Sequence, residues 1–174
     1  NKARNHWTVD LLEVQKSDRV LEIGCGPGIA LALVAAKATS GEIVGHDHSE
    51  LMIRQATRRN ARAIRAGRLR LHLGDDSTIG ELIPGFTKAF SANVAQFFPD
   101  KTGAFRSIAT VLAPGALLAT TYQPRNRNAV QADADRMADK FVRALADAGY
   151  EDLQVRSLAL KPVPAICVLA RRPR

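Results

Sequence analysis

The sequence has little cysteine, no long hydrophobic run and no low-complexity segment. Its two cysteines, Cys25 and Cys167, have neither disulfide nor metal-site spacing, so we predict free thiols in a reducing compartment. The longest wholly apolar run, residues 29–36, is too short to cross a bilayer. No secretory signal pattern opens the chain, and the lack of an initiator Met leaves open whether residues precede Asn1. These absences predict a cytoplasmic protein that does not associate with a membrane.

The composition is otherwise that of a globular protein. The 174 residues are 46% apolar and 24% charged, which predicts a single domain, residues 1–174, with a sizeable core. The net charge is +8. Such an excess reflects either general solubility or an anionic partner, and the charge alone does not decide between the two.

Strand-like and helix-like segments alternate along the chain. This order predicts a doubly wound α/β fold, in which helices cover both faces of a mostly parallel seven-stranded sheet. The last two strands are joined by the short link "KPVP", which suits an antiparallel hairpin because parallel strands need a longer crossover. The predicted strands are residues 19–23, 42–46, 69–73, 87–92, 116–122, 153–160 and 165–170, and the predicted helices are residues 28–37, 49–66, 76–83, 101–112 and 129–149.

Acidic residues stand at the ends of three successive predicted strands. Glu22 lies at the end of the first strand, Asp47 follows the second, and Asp75 and Asp76 follow the third. The fourth strand is followed by Asn93. In a doubly wound sheet the ligand binds beyond the carboxyl ends of the strands. An acidic rim there would repel a polyphosphate and favour a ligand with hydroxyls, an exocyclic amine and a net positive charge.

The glycine-rich turn "VLEIGCGPG", residues 20–28, ends the first strand. A phosphate-binding loop would continue with Lys and then Ser or Thr, whereas Ile29 and Ala30 follow here. The spacing G-x-G-x-G also differs from the dinucleotide pattern G-x-G-x-x-G. Asp47 nevertheless lies about where an NAD enzyme places its ribose-binding acid, so a nucleotide-cofactor oxidoreductase on a related fold stays open.

Five segments together carry a resemblance to a known family: "VLEIGCGPG", "IVGHDHSELMIRQA", "LHLGDDS", "FSANVAQFFPD" and "VLAPGALLATT". From about Asp18 to Tyr122 the chain resembles the class I S-adenosylmethionine-dependent methyltransferases, of the general small-molecule type. The resemblance implies a Rossmann-like methyltransferase fold and S-adenosyl-L-methionine as the cofactor. It also implies transfer of a methyl group to a small-molecule acceptor by direct displacement.

The resemblance implies that the glycine turn binds the methionine portion of the cofactor. Gly24, Gly26 and Gly28 would let the backbone approach the ligand, and Cys25 would be a small filler of the turn. The N-terminus of the following helix would favour the carboxylate. Glu22 would organise the turn and lie near the ammonium group of the ligand.

The other strand ends would bind the rest of the cofactor. Asp47 would accept hydrogen bonds from both ribose hydroxyls, and His48 would pack against the adenine. Asp75 would accept from the adenine amine, while Asp76 would offer its backbone N–H to the ring. Asn93 would line the methionine end, partly through its backbone carbonyl.

The chemistry implied by the resemblance needs few catalytic groups. Methyl transfer by direct displacement uses no covalent nucleophile and no metal, and the motif "HDH" would point His46 and His48 to opposite sides, so we predict no metal site. A base helps only when the acceptor must lose a proton. The candidates for a base are His6, Tyr122 and His48, in no firm order.

A cluster of arginines suggests the main alternative to a small-molecule acceptor, which is RNA. Arg54, Arg58, Arg62 and Arg65 recur at helical spacing, with Arg59, Arg68 and Arg70 nearby. This basic face, Arg54 to Arg70, is consistent with an RNA-binding stripe of an RNA methyltransferase or with a solvated helix face. Few aromatic residues lie among them, and "NVAQFFPD" lacks the N/D-P-P-Y/F motif that many enzymes methylating base amino groups carry. We therefore favour a small-molecule acceptor over nucleic acid. A cofactor-binding module without activity also stays open, as do the acceptor and the oligomeric state.

Overall fold

A seven-stranded sheet forms the centre of the protein in a computed structural model that describes residues 2–174. The strand order is β3-β2-β1-β4-β5-β7-β6; β1 to β5 are parallel, and β7 runs antiparallel to both of its neighbours. The predicted doubly wound fold with a C-terminal antiparallel hairpin is therefore confirmed. The strands are β1 (Val20–Ile23), β2 (Ile43–Asp47), β3 (Leu69–Leu73), β4 (Phe86–Ala92), β5 (Leu112–Tyr122), β6 (Glu151–Leu158) and β7 (Ala165–Arg171).

Helices cover both faces of this sheet. One face packs against α1 to α4, with Leu31 and Val34 of α2 buried on it, and the other packs against α5 and α6, with Phe105 and Phe141 buried. No helix within residues 2–174 has the length and hydropathy to cross a membrane. The helices are α1 (Lys2–Leu11), α2 (Ile29–Lys37), α3 (Glu50–Arg59), α4 (Ala61–Arg65), α5 (Lys101–Val111) and α6 (Gln131–Asp147).

The strands at the centre of the sheet are buried on both sides. Every residue of β1 and of β2 is buried, as is typical of parallel strands covered by helices on both faces. The edge strand β6 is mostly exposed and carries alternating polar residues. Between β1 and β4 the chain order reverses, and this is the switch point at which ligands bind in doubly wound sheets.

Two predicted helices differ in the structure. The predicted helix 49–66 is broken at Asn60, because its side-chain amide donates to the carbonyls of Gly28 and Ala56, both at 3.0 Å. A side chain that binds nearby backbone groups in this way competes with the helical pattern. The predicted helix 76–83 is instead a 3-10 helix, Asp76–Glu81. Asn1, which begins the predicted single domain, lies outside the described residues.

The first helix packs onto the carboxyl-end half of the sheet. Helix α1 contacts α2, β4 and β5. The hydroxyls of Thr8 and Thr121 share a buried hydrogen bond of 2.8 Å, which ties α1 to the end of β5. Thr8 also donates to the carbonyl of Arg4 at 3.0 Å. The N-terminal turn of α1 is thereby held over the switch point.

Glu22 is an acid within the buried core of the sheet. Its side chain is 3% exposed, and its Oε2 has no hydrogen-bond partner among the described residues. Burial raises the pKa of Glu22 well above its usual value, and the nearby Asp47 carboxylate raises it further; the backbone N–H of Leu31 acts in the opposite direction. Ionising this carboxyl therefore lowers the stability of the free protein.

Replacing Glu22 by Gln should remove a pH-dependent loss of stability. A carboxyl whose pKa is raised by folding stabilises the protein fully below its unfolded pKa, and this contribution is lost as the pH rises through the folded pKa. We expect the free energy of unfolding of Glu22→Gln to exceed that of the wild type increasingly above about pH 4.5, by at most about 1.4 kcal/mol per pH unit. Denaturant unfolding from pH 4 to pH 8 measures this difference.

The exposed Glu81 offers a matched control, and Glu81→Gln should follow the wild-type pH dependence. Wild-type and Glu22→Gln curves that stay parallel over the whole range would contradict the assignment of a raised pKa to Glu22.

Candidate cofactor and acceptor site

A cavity of about 650 Å³ opens at the carboxyl ends of the parallel strands. Its walls come from the turn after β1, from the ends of β2, β3 and β4, and from the start of α3. Arg4 of α1 and Arg125 of the loop after β5 complete the lining. The volume lies within the range of roughly 300–1,000 Å³ that is usual for small-molecule sites.

The glycine turn presents two of its three glycines to the cavity. Gly24 and Gly26 line it, and a Cβ built on Gly26 would meet no atom within 4 Å, so this residue faces open space. Gly28 instead packs closely against Asn60 and Ala56 of the neighbouring helix region and lies outside the lining. It begins α2 with a φ of +74°, which favours glycine.

Asp47 joins the turn after β1 to the start of α3. Its Oδ2 accepts from the backbone N–H of Gly26 at 2.8 Å, and its Oδ1 accepts from that of Ser49 at 2.9 Å. The side chain is 8% exposed and lines the cavity. Each carboxylate oxygen accepts one backbone bond and so keeps a lone pair for a ligand donor.

The acids after β3 lie at the same end of the cavity as Asp47. Asp75 caps the 3-10 helix, since its Oδ1 accepts from the hydroxyl and the backbone N–H of Ser77 at 2.5 and 2.9 Å. These two hydrogen bonds, the hydroxyl first, lower the pKa of Asp75 below its usual value, so it remains ionised at neutral pH. Asp76 also lines the cavity.

Asn93 occupies a strained turn at the end of β4. Its φ is +60°, and its side chain both donates to the carbonyl of Gln123 at 2.8 Å and accepts from the Gln123 N–H at 2.9 Å. The amide is therefore used to lock the end of β4 to the chain after β5. Asn93 lines the cavity, as its predicted role requires.

Three of the predicted cofactor residues lie outside the lining: Gly28, Glu22 in β1 and Cys25 within the turn. Cys25 is 4% exposed, and burial, followed by the Glu22 and Asp47 carboxylates, raises the pKa of its thiol well above the usual value. The thiol therefore stays protonated and fills space, which is the part that sequence reasoning gave it.

The predicted candidates for a base are scattered. His48 lines the cavity beside Asp47, with an Nδ1–Oδ1 separation of 3.9 Å, whereas His6 and Tyr122 lie outside the lining. His46 is buried and stacks on His72 with ring centroids 5.3 Å apart, while the His48 side chain is 82% exposed. Among residues 2–174 the structure contains no group of three or more His, Cys, Asp or Glu side chains arranged for a metal.

Sequence reasoning missed two arginines at the other end of the cavity, Arg4 and Arg125, where Phe97 and Phe98 of the motif "FSANVAQFFPD" also line it. Arg125 lies three residues after the predicted fifth strand, so the strand-end argument could have found it. Arg4 carried no such signal, because α1 reaches the site through packing on α2, β4 and β5.

Comparisons with known proteins agree with this geometry. Residues 21–118 match the family model described as "Methyltransferase domain". The chain is 28% identical over 173 residues, 99% of this chain and 93% of the relative, to the Bacillus subtilis (strain 168) protein named "Uncharacterized methyltransferase YdaC".

Solved structures share the fold. A SAM-dependent methyltransferase from Aquifex aeolicus superposes with a TM-score of 0.78 at 16% identity, covering 96% of this chain and 88% of that one. A SAM-dependent O-methyltransferase from Thermotoga maritima gives 0.75 at 17% identity, covering 98% and 64%. With the family model matching more than half of its length, the chain belongs to the methyltransferase-domain family of class I S-adenosylmethionine-dependent enzymes.

Proposed function

We propose that residues 1–174 act as one cofactor-binding domain that transfers a methyl group from S-adenosyl-L-methionine to a small-molecule acceptor. The observation that carries the proposal is the single cavity at the switch point, which is of small-molecule size and has acids at one end and arginines at the other. Its two ends leave room for a cofactor and an acceptor side by side.

The residues present fit the cofactor. Gly26 leaves open space where a side chain would stand, and Asp47, which lines the cavity, accepts only one backbone hydrogen bond at each carboxylate oxygen. Asp75 remains ionised and accessible at the same end, where an exocyclic amine would find an acceptor. We assign Asp47 to the ribose hydroxyls, Asp75 and Asp76 to the adenine, and Gly24 and Gly26 to the methionine portion.

When bound, the cofactor supplies a methyl group on a sulfonium, so the leaving group needs no activation by the protein. What the chain supplies is position: the cavity orients the acceptor, and orientation contributes at best about 7–11 kcal/mol to lowering a barrier of this kind. Among residues 2–174, the side chains of the lining that could accept a proton, namely His46, Asp47, His48, Asp75 and Asp76, lie at or just after the ends of β2 and β3. The lining on the β4 and β5 side thus holds no such group, which favours an acceptor whose attacking atom is already deprotonated.

The structure weakens the RNA alternative. Three arginines of the basic face, Arg54 to Arg70, are already engaged. Arg54 pairs with Glu50 at 3.5 Å, Arg59 donates to the Pro27 carbonyl at 2.8 Å, and Arg68 donates to two carbonyls at the end of α2 at 3.2 Å. Arg58 and Arg62 are exposed and lie outside the cavity lining. Ala56 and Ala63 form the buried side of these helices, as expected for a solvated face.

The Asp47 assignment predicts a loss of cofactor affinity. Each hydrogen bond to a charged group contributes about 1.5–3 kcal/mol, so Asp47→Ala should weaken binding of S-adenosylhomocysteine at least tenfold. Isothermal titration calorimetry measures this. The control is Asp135→Ala, which removes an exposed aspartate of α6 outside the lining and should bind like wild type. Equal affinity of Asp47→Ala and wild type would remove Asp47 from the site.

Gly26→Val should abolish cofactor binding in a folded protein. Its side chain would enter open cavity space, and its φ of +51° disfavours a branched residue. Gly67→Val is a matched control, since Gly67 also has a positive φ and open surroundings but lies outside the lining. Circular dichroism checks folding, and calorimetry checks binding. If both variants bind S-adenosylhomocysteine like wild type, the turn does not touch the ligand.

The acceptor class can be tested on the basic face. An RNA-binding stripe releases counterions, so affinity would fall with a slope of roughly −0.7 per contacted phosphate in a plot of log K against log salt. We expect only weak RNA binding, which Arg58→Glu with Arg62→Glu barely changes. Filter binding of single-stranded RNA across a salt series measures it. Tight binding with a steep slope that the double variant flattens would replace the small-molecule acceptor by RNA.

A further inference from the structure

Arg4 is a buried cation that lacks a partner. Its side chain belongs to a residue only 5% exposed, and among residues 2–174 neither its Nε nor its Nη1 has a hydrogen-bond partner. It lines the cavity from the first turn of α1. The Thr8 hydroxyl, bonded to both the Arg4 carbonyl and Thr121, holds this part of the helix in place.

The groups around Arg4 make its buried positive charge less favourable instead of stabilising it. A guanidinium keeps its proton in proteins, and a buried charge without a partner costs several kcal/mol. Burial and then the positive charge of Arg125 lower the pKa of Arg4 from its usual value, so the charged neighbour that acts on it is a second cation. A bound anion would relieve both effects.

Charges divide the cavity into two ends. The carboxylates of its lining, Asp47, Asp75 and Asp76, belong to the ends of β2 and β3, on one side of the switch point. Arg4 packs over β4 and β5, and Arg125 follows β5, on the other side. Since the cofactor assignments run from the end of β3 to Asn93 at the end of β4, the arginines lie past the methionine end, on the acceptor side of the cavity.

We propose that Arg4 and Arg125 form a carboxylate-binding subsite, and the inference rests on the proposed function of the same cavity. Hydrogen bonds between a guanidinium and a carboxylate are among the strong ones, and Nε and Nη1 of Arg4 are donors that no group of residues 2–174 satisfies. The acids at the far end disfavour a polyphosphate. The carboxylate belongs either to an organic-acid acceptor or to the amino-acid part of the cofactor. The position of the two arginines beyond Asn93 favours the acceptor.

A carboxylate acceptor also agrees with the lack of a base at this end. Carboxyl groups titrate near pH 4, so an organic acid is ionised at neutral pH and needs no proton acceptor from the protein. The exposed Arg125 sits at the mouth of the subsite, where it can attract an anion.

The first test needs no ligand. Arg4→Met keeps a long apolar stem and removes the unpaired charge, so we expect its melting temperature to rise by a few degrees, on the order of the 2–4 °C that 1 kcal/mol gives in a protein of this size. Circular dichroism measures the melting. A fall in melting temperature would show that Arg4 is paired in the free protein and would overturn the proposal.

The second test separates the two sources of the carboxylate. Calorimetry compares wild type and Arg4→Met with S-adenosylhomocysteine, which has the amino-acid carboxylate, and with methylthioadenosine, which lacks it. A tenfold or greater weakening for the first ligand alone assigns the subsite to the cofactor.

A separate titration tests the acceptor as the source. The S-adenosylhomocysteine-loaded protein is titrated with succinate and benzoate, with their amides, and with inorganic phosphate. Binding of an acid, but not of its amide, that Arg4→Met weakens tenfold assigns the subsite to the acceptor.

Variants of the exposed loop complete the design. Arg125→Met should weaken the same ligand as Arg4→Met but less, whereas Arg127→Met, in the same loop but outside the lining, should change nothing. The proposal is overturned if Arg4→Met alters neither S-adenosylhomocysteine nor acid binding, or if phosphate binds in preference to the acids. Wild type that binds neither S-adenosylhomocysteine nor methylthioadenosine would instead refute the proposed function, so the two failures are distinguishable.

Discussion

The Asp47 carboxylate is the interaction on which the rest of the site depends. By accepting from the backbone of Gly26 and of Ser49 it fixes the turn after β1 against the start of α3, and both segments form walls of the cavity. The Gly24 and Cys25 amides strengthen this link by donating to the His46 carbonyl at 2.7 and 3.0 Å. The turn is therefore in place before a ligand arrives, which lowers the ordering cost of binding.

Two buried ionisable side chains lie near this turn. Glu22 belongs to β1, which leads into the turn, and Arg4 lines the cavity from α1. Neither side chain has its polar atoms fully paired, so each lowers the stability of the free protein. Such costs are typical of binding sites, where a group suited to a ligand persists although an apolar residue would give a more stable fold.

Much of the fold was predictable because its signals are local. Apolar runs, glycine and proline positions and the short link before β7 predicted the strands, the mostly parallel sheet and the hairpin. The break at Asn60 was not predictable, since it depends on a contact with Gly28 across 32 residues. The acids at the strand ends were found because parallel strands bring their ends together. Arg4 was missed because its place depends on the pairing of Thr8 with Thr121 across the chain.

The division of the cavity has a consequence for how related enzymes can diverge. The acids of one end follow β2 and β3, and the arginines of the other belong to α1 and to the loop after β5, so the two sets of charges lie on separate segments. Mutations in α1 or in that loop can therefore change the charge at one end of the cavity while the acids at the other end stay in place. A lineage built on this domain can alter one end of its cavity through two peripheral segments, and the strand ends that carry the acids need not change.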